Sequence, residues 1–232
     1  MIFIHAMSEF RAKNHYSNYI ITIITCITSF TGIMPKHYQP QDRYFKKAKE
    51  DGYRARSAYK LDEIQKRFHI IKHGDTVLDM GAAPGSFLQL ISKIVGAKGI
   101  AIGIDLKPVA DLDQPNIISY QGDIFDEKIY AKMLIKNGIS EFDVITSDLA
   151  PSTTGIKSVD AGRSFQLNEQ VLKVAEKYLK SGGYAVMKAF PGADHSQLMA
   201  LAKKQFRNVK IFKPQAVRQT SREVYIIGLN KF

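Results

Sequence analysis

The chain has 232 residues, of which 45% are hydrophobic, a formal charge of +11 and one cysteine, Cys26. A single cysteine excludes an internal disulfide and any multi-cysteine zinc site, and this length fits one α/β domain with a full core better than two. The charge sits on the flanks: residues 34–73 carry 11 Lys/Arg against 5 Asp/Glu and residues 203–232 carry 8 against 1, whereas 74–202 carry 12 against 15. Basic flanks around a mildly acidic centre suit a protein that holds a polyanion, although a merely solvated basic face would look the same.

Residues 1–33 differ from the rest of the chain. The apolar run from Tyr19 to Ile33 is broken by Thr22, Thr25, Thr28 and Thr31. It falls short of the roughly 20 residues that a membrane-spanning helix needs. A signal peptide would require a small-residue cleavage site, and none follows convincingly. An organellar presequence would fit the Ser/Thr content, with Glu9 as the one acid. The expectation adopted is that residues 1–33 are a non-functional extension with Met34 as the real start, so that an N-terminal stretch of unknown role over 1–40 precedes a single domain over 41–232.

Beyond Asp42 the pattern becomes regular. Leu61, Ile64 and Phe68 recur at helical spacing, which predicts a helix over about 55–69. Strand signals then follow at Thr76–Met80, Ile100–Asp105, Ile117–Tyr120, Phe142–Ser147, Tyr184–Ala189, Val209–Phe212 and Val224–Leu229. Helical runs lie between most of them, near 86–95, 127–137, 163–180 and 194–205. This alternation predicts a mostly parallel, seven-stranded α/β sheet with helices on both faces. Ligands of such sheets bind at the carboxyl ends of the strands.

The strongest local signal is Asp79-Met-Gly-Ala-Ala-Pro-Gly-Ser-Phe87, directly after a strand and opening a helix. Gly81 and Gly85 let the backbone approach a ligand, and the helix start offers unpaired N–H groups. Pro84 sets it apart from the dinucleotide pattern. Asp105 ends the next strand, where a carboxylate can accept from both hydroxyls of a cofactor ribose. Asp123 follows the third strand, where a carboxylate can accept from an adenine amino group. Each acid alone would read as a cap or turn residue. Three such features after three consecutive strands point to an adenosyl cofactor.

Asp148 closes the fourth strand in Ser-Asp-Leu-Ala-Pro. Lys188 ends the fifth strand within an apolar run, where a lysine without a task is disfavoured. These two are the residues to which local chemistry points. Lys60, beside Leu61, and Glu223, before the last strand, stay open on the same grounds. Lys46, Lys47, Lys49, Arg54 and Arg56 crowd the segment before Lys60, and Arg218 and Arg222 precede the last strand. All seven are expected to contact phosphates.

Taken together, Tyr53-Arg-Ala-Arg-Ser-Ala-Tyr-Lys-Leu-Asp-Glu63, Asp79 to Gly85, Ser147-Asp-Leu-Ala-Pro151, Val186-Met-Lys188 and Ser221-Arg-Glu-Val-Tyr225 resemble the successive motifs of the FtsJ/RrmJ family. The similarity spans about residues 40–232. It implies a Rossmann-like fold that uses S-adenosyl-L-methionine to methylate ribose 2′-oxygens of RNA, most directly a uridine of 23S ribosomal RNA in the large subunit. It implies a catalytic tetrad at Lys60, Asp148, Lys188 and Glu223, with Lys188 as general base. It implies cofactor contacts from Gly85, Phe87, Asp105, Asp123 and Asp148, and no metal. Ser86-Phe87 departs from the bacterial Gly-Trp but keeps an aromatic ring. A cytoplasmic monomer off the membrane is expected, or a mitochondrial one if residues 1–33 are a presequence. The competing readings are a methyltransferase for transfer RNA or an mRNA cap, a non-catalytic RNA-binding assembly factor, and a nicotinamide oxidoreductase. Loss of a tetrad lysine would have favoured the assembly factor, and the Pro84 turn disfavours the oxidoreductase.

Overall fold

The apolar alternation resolves into strands β1 (Thr76–Met80), β2 (Ile100–Asp105), β3 (Ile117–Gln121), β4 (Phe142–Ser147), β5 (Leu179–Ala189), β6 (Phe206–Phe212) and β7 (Val224–Lys231). With them run helices α1 (Arg43–Glu50), α2 (Ala58–Phe68), α3 (Ser86–Val95), α4 (Glu127–Asn137), α5 (Lys157–Tyr178) and α6 (His195–Gln205). These come from a computed structural model that describes residues 43–152 and 154–232. The extension over residues 1–33 and the start at Met34 lie outside the described residues. None of the described helices is long and apolar enough to cross a membrane.

The strands form one sheet in the order β3-β2-β1-β4-β5-β7-β6. The pairs from β3 through β5 are parallel, whereas β7 runs antiparallel to both β5 and β6. Adjacent residues of one strand point to opposite faces, and both faces of this sheet are covered. Leu78, Met80, Ile145, Met187 and Ile226 pack on one face with residues of α4, α5 and α6. Val77, Val144, Val186, Tyr225 and Ile227 pack on the other with Leu61 and Ile64 of α2 and with Phe87, Leu88 and Ile91 of α3.

Several elements differ from the sequence expectation: helix α5 begins at Lys157 rather than 163, and strand β6 at Phe206 rather than Val209. Helix α1 was not anticipated, because it runs for only eight residues and Ala48 is its one buried residue. Strand β5 starts at Leu179 rather than Tyr184; Lys180, Ser181 and Gly182 are exposed, so the run looks like a turn. Helix α2 is shorter than 55–69, since His69 takes a left-handed backbone at φ 51° and caps it.

Order along the sheet reverses between β1 and β4, so the crevice beyond the strands' carboxyl ends opens there. The motifs after β1, β2, β3 and β4 all reach that edge.

Candidate active site

A cleft of about 540 Å3 lies at this edge. Its lining comes in turn from the end of β1 (Gly81, Ala83), β2 (Asp105 to Lys107), β3 (Asp123 to Phe125) and β4 (Asp148 to Ser152). Gly81 holds φ 82°, and a Cβ there would come within 2.8 Å of Leu149, another lining residue, so a side chain would crowd the cleft. Asp105 is oriented by its own backbone surroundings: Oδ2 accepts from the Ala83 N–H at 3.0 Å and Oδ1 from the Lys107 N–H at 2.8 Å. Asp123 Oδ1 accepts from the Phe125 N–H at 3.0 Å. These bonds fix both carboxylates while leaving oxygen lone pairs for a ligand.

The volume suits a nucleoside-sized ligand. A glycine-lined turn with the carboxylates of Asp105, Asp123 and Asp148 around one cleft fits S-adenosylmethionine, a cation that carries a ribose and an exocyclic amine. Leu106 and Phe125 are exposed at 68% and 52% beside those acids and offer apolar surface to a base. Neither was singled out in sequence, where an apolar residue after a strand gives no distinguishing signal.

Two expected cofactor residues are not in the lining. Phe87 is buried among Leu61, Leu88 and Ile91 in the core under α3, so its ring serves packing. Gly85 caps the start of α3 at φ 108°, and a Cβ there would meet Leu112 and Val109 rather than the cleft. Strand-end acids were legible because the sheet register fixes their direction; Phe87 was not, because helix rotation decides which way its ring faces.

The four tetrad candidates come together as two ion pairs. Lys188 Nζ lies 3.1 Å from Asp148 Oδ1 and also donates to the Asp148 backbone carbonyl. Lys60 Nζ lies 2.5 Å from Glu223 Oε1. Lys60, Lys188 and Glu223 are only 8, 7 and 9% exposed, and such burial of charge persists only when it is paired. Tyr225 joins them. It is fully buried opposite Lys188 in the β5–β7 register, and its hydroxyl donates to Asp148 Oδ1 at 2.6 Å. Burial, then the Asp148 charge, holds the Tyr225 hydroxyl well above the usual phenol range. The signal was present in sequence: Tyr225 stands two residues beyond Glu223, hence on the same side of the chain in an extended run.

Beside the Lys60–Glu223 pair is a second recess of about 290 Å3, lined by Arg56, Ser57, Lys60, Arg218, Ser221 and Glu223. Arg56 donates to the Ala216 carbonyl; burial, then the nearby Arg218, lowers its pKa. Two guanidinium groups beside one recess favour an anion near them. Lys46, Lys47, Lys49 and Arg222 are exposed, with Lys47 Nζ 4.8 Å from the Tyr59 ring centre. Arg54 departs from the expected phosphate role. Its guanidinium donates to the carbonyls of Pro84 at 3.1 Å and Ala110 at 2.8 Å, and to that of Asp111. It clasps the loops that follow β1 and β2. Among the described residues no cluster of three His, Cys, Asp or Glu side chains is arranged to hold a metal ion.

Residues 53–231 match the family model described as FtsJ-like methyltransferase. A ribosomal RNA large subunit methyltransferase E from Desulforapulum autotrophicum is 47% identical over 197 residues, 85% of this chain and 96% of that protein. Another of the same name from Syntrophobacter fumaroxidans is 44% identical, covering 83% of this chain and 96% of its own. A crystal structure from Plasmodium falciparum, described as a ribosomal RNA methyltransferase, superposes with a TM-score of 0.70 at 30% identity, over 77% of this chain and 98% of that one. Fibrillarin from Aeropyrum pernix, solved with S-adenosyl-L-methionine natively bound, shares the fold with a TM-score of 0.54 at 20% identity, over 75% of this chain and 76% of that one. The matched span contains both ion pairs and the whole cleft, and the chain belongs to the FtsJ-like methyltransferase family.

Proposed function

We propose that this enzyme transfers a methyl group from S-adenosyl-L-methionine to a ribose 2′-hydroxyl of large-subunit ribosomal RNA, at a uridine of the 23S molecule. The observation that carries the reading is the convergence of Lys188–Asp148 and Lys60–Glu223 beside a cleft lined by Asp105 and Asp123. Its relatives named ribosomal RNA large subunit methyltransferase E support the choice of RNA.

When bound, the cofactor supplies an activated methyl group on a sulfonium. Asp105 would hold its ribose hydroxyls and Asp123 its adenine amine. A ribose hydroxyl is a poor nucleophile, so the chain must orient it and take its proton. Orientation contributes the larger share, about 7–11 kcal/mol for well-aligned reactants. Proton removal by a placed base adds roughly 10²–10⁴-fold. Lys188 Nζ is that base once it is a neutral amine, and the hydroxyl proton ends on it as the oxygen takes the methyl. Asp148 holds Lys188 on one side; Lys60, held by Glu223, borders the recess where Arg56 and Arg218 favour a phosphate of the same RNA. Lys46, Lys47, Lys49 and Arg222 add contacts that carry no sequence information. The working protein is read as a cytoplasmic monomer over residues 41–232.

Mapping 2′-O-methylation across ribosomal RNA tests this reading. Cells lacking the gene should lose one methylated uridine in the large-subunit RNA, and the wild-type gene should restore it. An unchanged large-subunit map, or loss confined to transfer RNA, would overturn it.

A further inference from the structure

Three buried side-chain oxygens lack a hydrogen-bond partner among the described residues, and one belongs to a carboxylate, Oδ2 of Asp79. Asp79 is in β1, two residues before Gly81, and is 1% exposed. Its other oxygen, Oδ1, accepts from the Thr146 hydroxyl at 2.7 Å across the β1–β4 register. Asp79 forms no ion pair among the described residues.

The surroundings offer no counter-charge. β2 contributes Asp105 and β4 contributes Asp148, both acids that act on Asp79. From β5, Lys188 is committed to Asp148; from β7, Tyr225 donates to that same carboxylate; from α2, Lys60 is committed to Glu223. A carboxylate this buried, with one neutral hydrogen bond and only like charges nearby, is strongly penalised as an anion, and taking up a proton relieves most of that cost. Burial accordingly pushes its carboxyl up to about 7, against the Thr146 hydrogen bond, with Asp148 and Asp105 adding to the rise.

We propose that Asp79 is a positioning residue for methyl transfer: as a neutral carboxylic acid it ties β1 to Thr146 and so fixes the end of β4, from which Asp148 holds Lys188. This rests on the reading that Lys188 and Asp148 carry the reaction. Thr146 lies two residues before Asp148, so both side chains leave the same face of the sheet. A neutral acid suits this place, because an anion here would compete with Asp148 for positive charge. Asp148 is then the carboxylate that governs Lys188.

The test uses Asp79→Asn, Asp79→Ala and Thr146→Val in the full chain. The asparagine keeps an acceptor for Thr146 and cannot ionise. Difference infrared spectra between wild type and Asp79→Asn should show a protonated-carboxyl stretch near neutral pH, absent from the variant. Calorimetric affinities for S-adenosylmethionine, a cation, and S-adenosylhomocysteine, its uncharged thioether product, should change together by less than about twofold in Asp79→Asn, since no charge is lost. Saturated turnover should survive in Asp79→Asn yet fall roughly tenfold to a hundredfold in Asp79→Ala and Thr146→Val, with cofactor affinity retained, as misplacement of a base predicts. If Asp79→Ala does not fold, Thr146→Val carries the same comparison.

Three results would overturn the proposal: no protonated-carboxyl stretch, a selective loss of affinity for the sulfonium in Asp79→Asn, or wild-type turnover in both anchor-breaking variants. The infrared and binding measurements need no RNA. Failure of the assigned RNA substrate would therefore leave them readable, and failure of the Asp79 arms would leave the RNA reading standing.

Discussion

Tyr225 and Lys188 face each other across the β5–β7 pair, and both reach Asp148 Oδ1, at 2.6 and 3.1 Å. The carboxylate is thus held from two strands at once. Tyr225→Phe removes one donor and little volume. It should lower turnover by an amount corresponding to about 1.5–3 kcal/mol, the scale of a hydrogen bond to a charged group, with RNA and cofactor affinity nearly unchanged. Steady-state kinetics on large ribosomal subunits would check it; a variant with wild-type turnover removes Tyr225 from the site's working parts.

Lys188 gives the sharpest test of the chemistry. Lys188→Ala should bind cofactor and RNA yet lose most transfer in a single turnover with labelled cofactor, because the missing interaction acts in the transition state. Lys188→Arg should fail almost as badly, since a guanidinium keeps the charge but does not give up a proton near neutral pH. A lysine kept only for its ion pair with Asp148 predicts the reverse: arginine preserves the pair and activity persists.

Asp105 separates binding from chemistry. With both oxygens oriented by the Ala83 and Lys107 amides, its remaining lone pairs face the cleft. Asp105→Ala should weaken S-adenosylmethionine by about 1.5–3 kcal/mol, the cost of lost charge-assisted hydrogen bonds. Wild-type affinity in calorimetry would remove Asp105 from the cofactor site.

The basic residues near Lys60 divide into two kinds. Neutralising Lys46 and Lys49 together should weaken RNA binding and reduce its salt dependence by about 0.7–0.9 for each phosphate no longer neutralised, without touching cofactor affinity. Arg54→Ala should do the opposite, since Arg54 clasps the carbonyls of Pro84 and Ala110 beside the cofactor cleft. Its effect should appear in cofactor affinity and thermal stability, with the salt slope unchanged. Filter binding across a salt series distinguishes them.

Asp79 links stability to pH. Its carboxyl rises from 3.8 to about 7 on folding, so the folded state binds the proton more tightly. The associated stability is present in full below the unfolded value and is lost as pH rises through the folded one. From about pH 4 to about pH 7, the window of the shift, the Tm of wild type should fall relative to that of Asp79→Asn. Parallel Tm curves for the two proteins would show that Asp79 does not titrate there.

Much of this arrangement was legible in the chain. The apolar runs of β1, β2 and β4 were bounded correctly, because a strand covered on both faces reads as continuous burial whatever its neighbours are. Asp105, Asp123 and Asp148 could be placed at one edge, since parallel strands joined by helices present their carboxyl ends together. The exposed turn-like start of β5 and the polar helix α1 were missed, because their order comes from partners distant in sequence. Local pattern likewise could not turn Phe87 into the core, draw Arg54 onto the loops after β1 and β2, or leave Asp79 Oδ2 without a partner. Residue types and their spacing determined the fold class and the chemistry available at the strand ends. Which charges meet, Lys60 with Glu223 and Lys188 with Asp148, was decided only in three dimensions, where the antiparallel turn of β7 brings the end of the chain back beside β5 and burial forces each charge to find its partner.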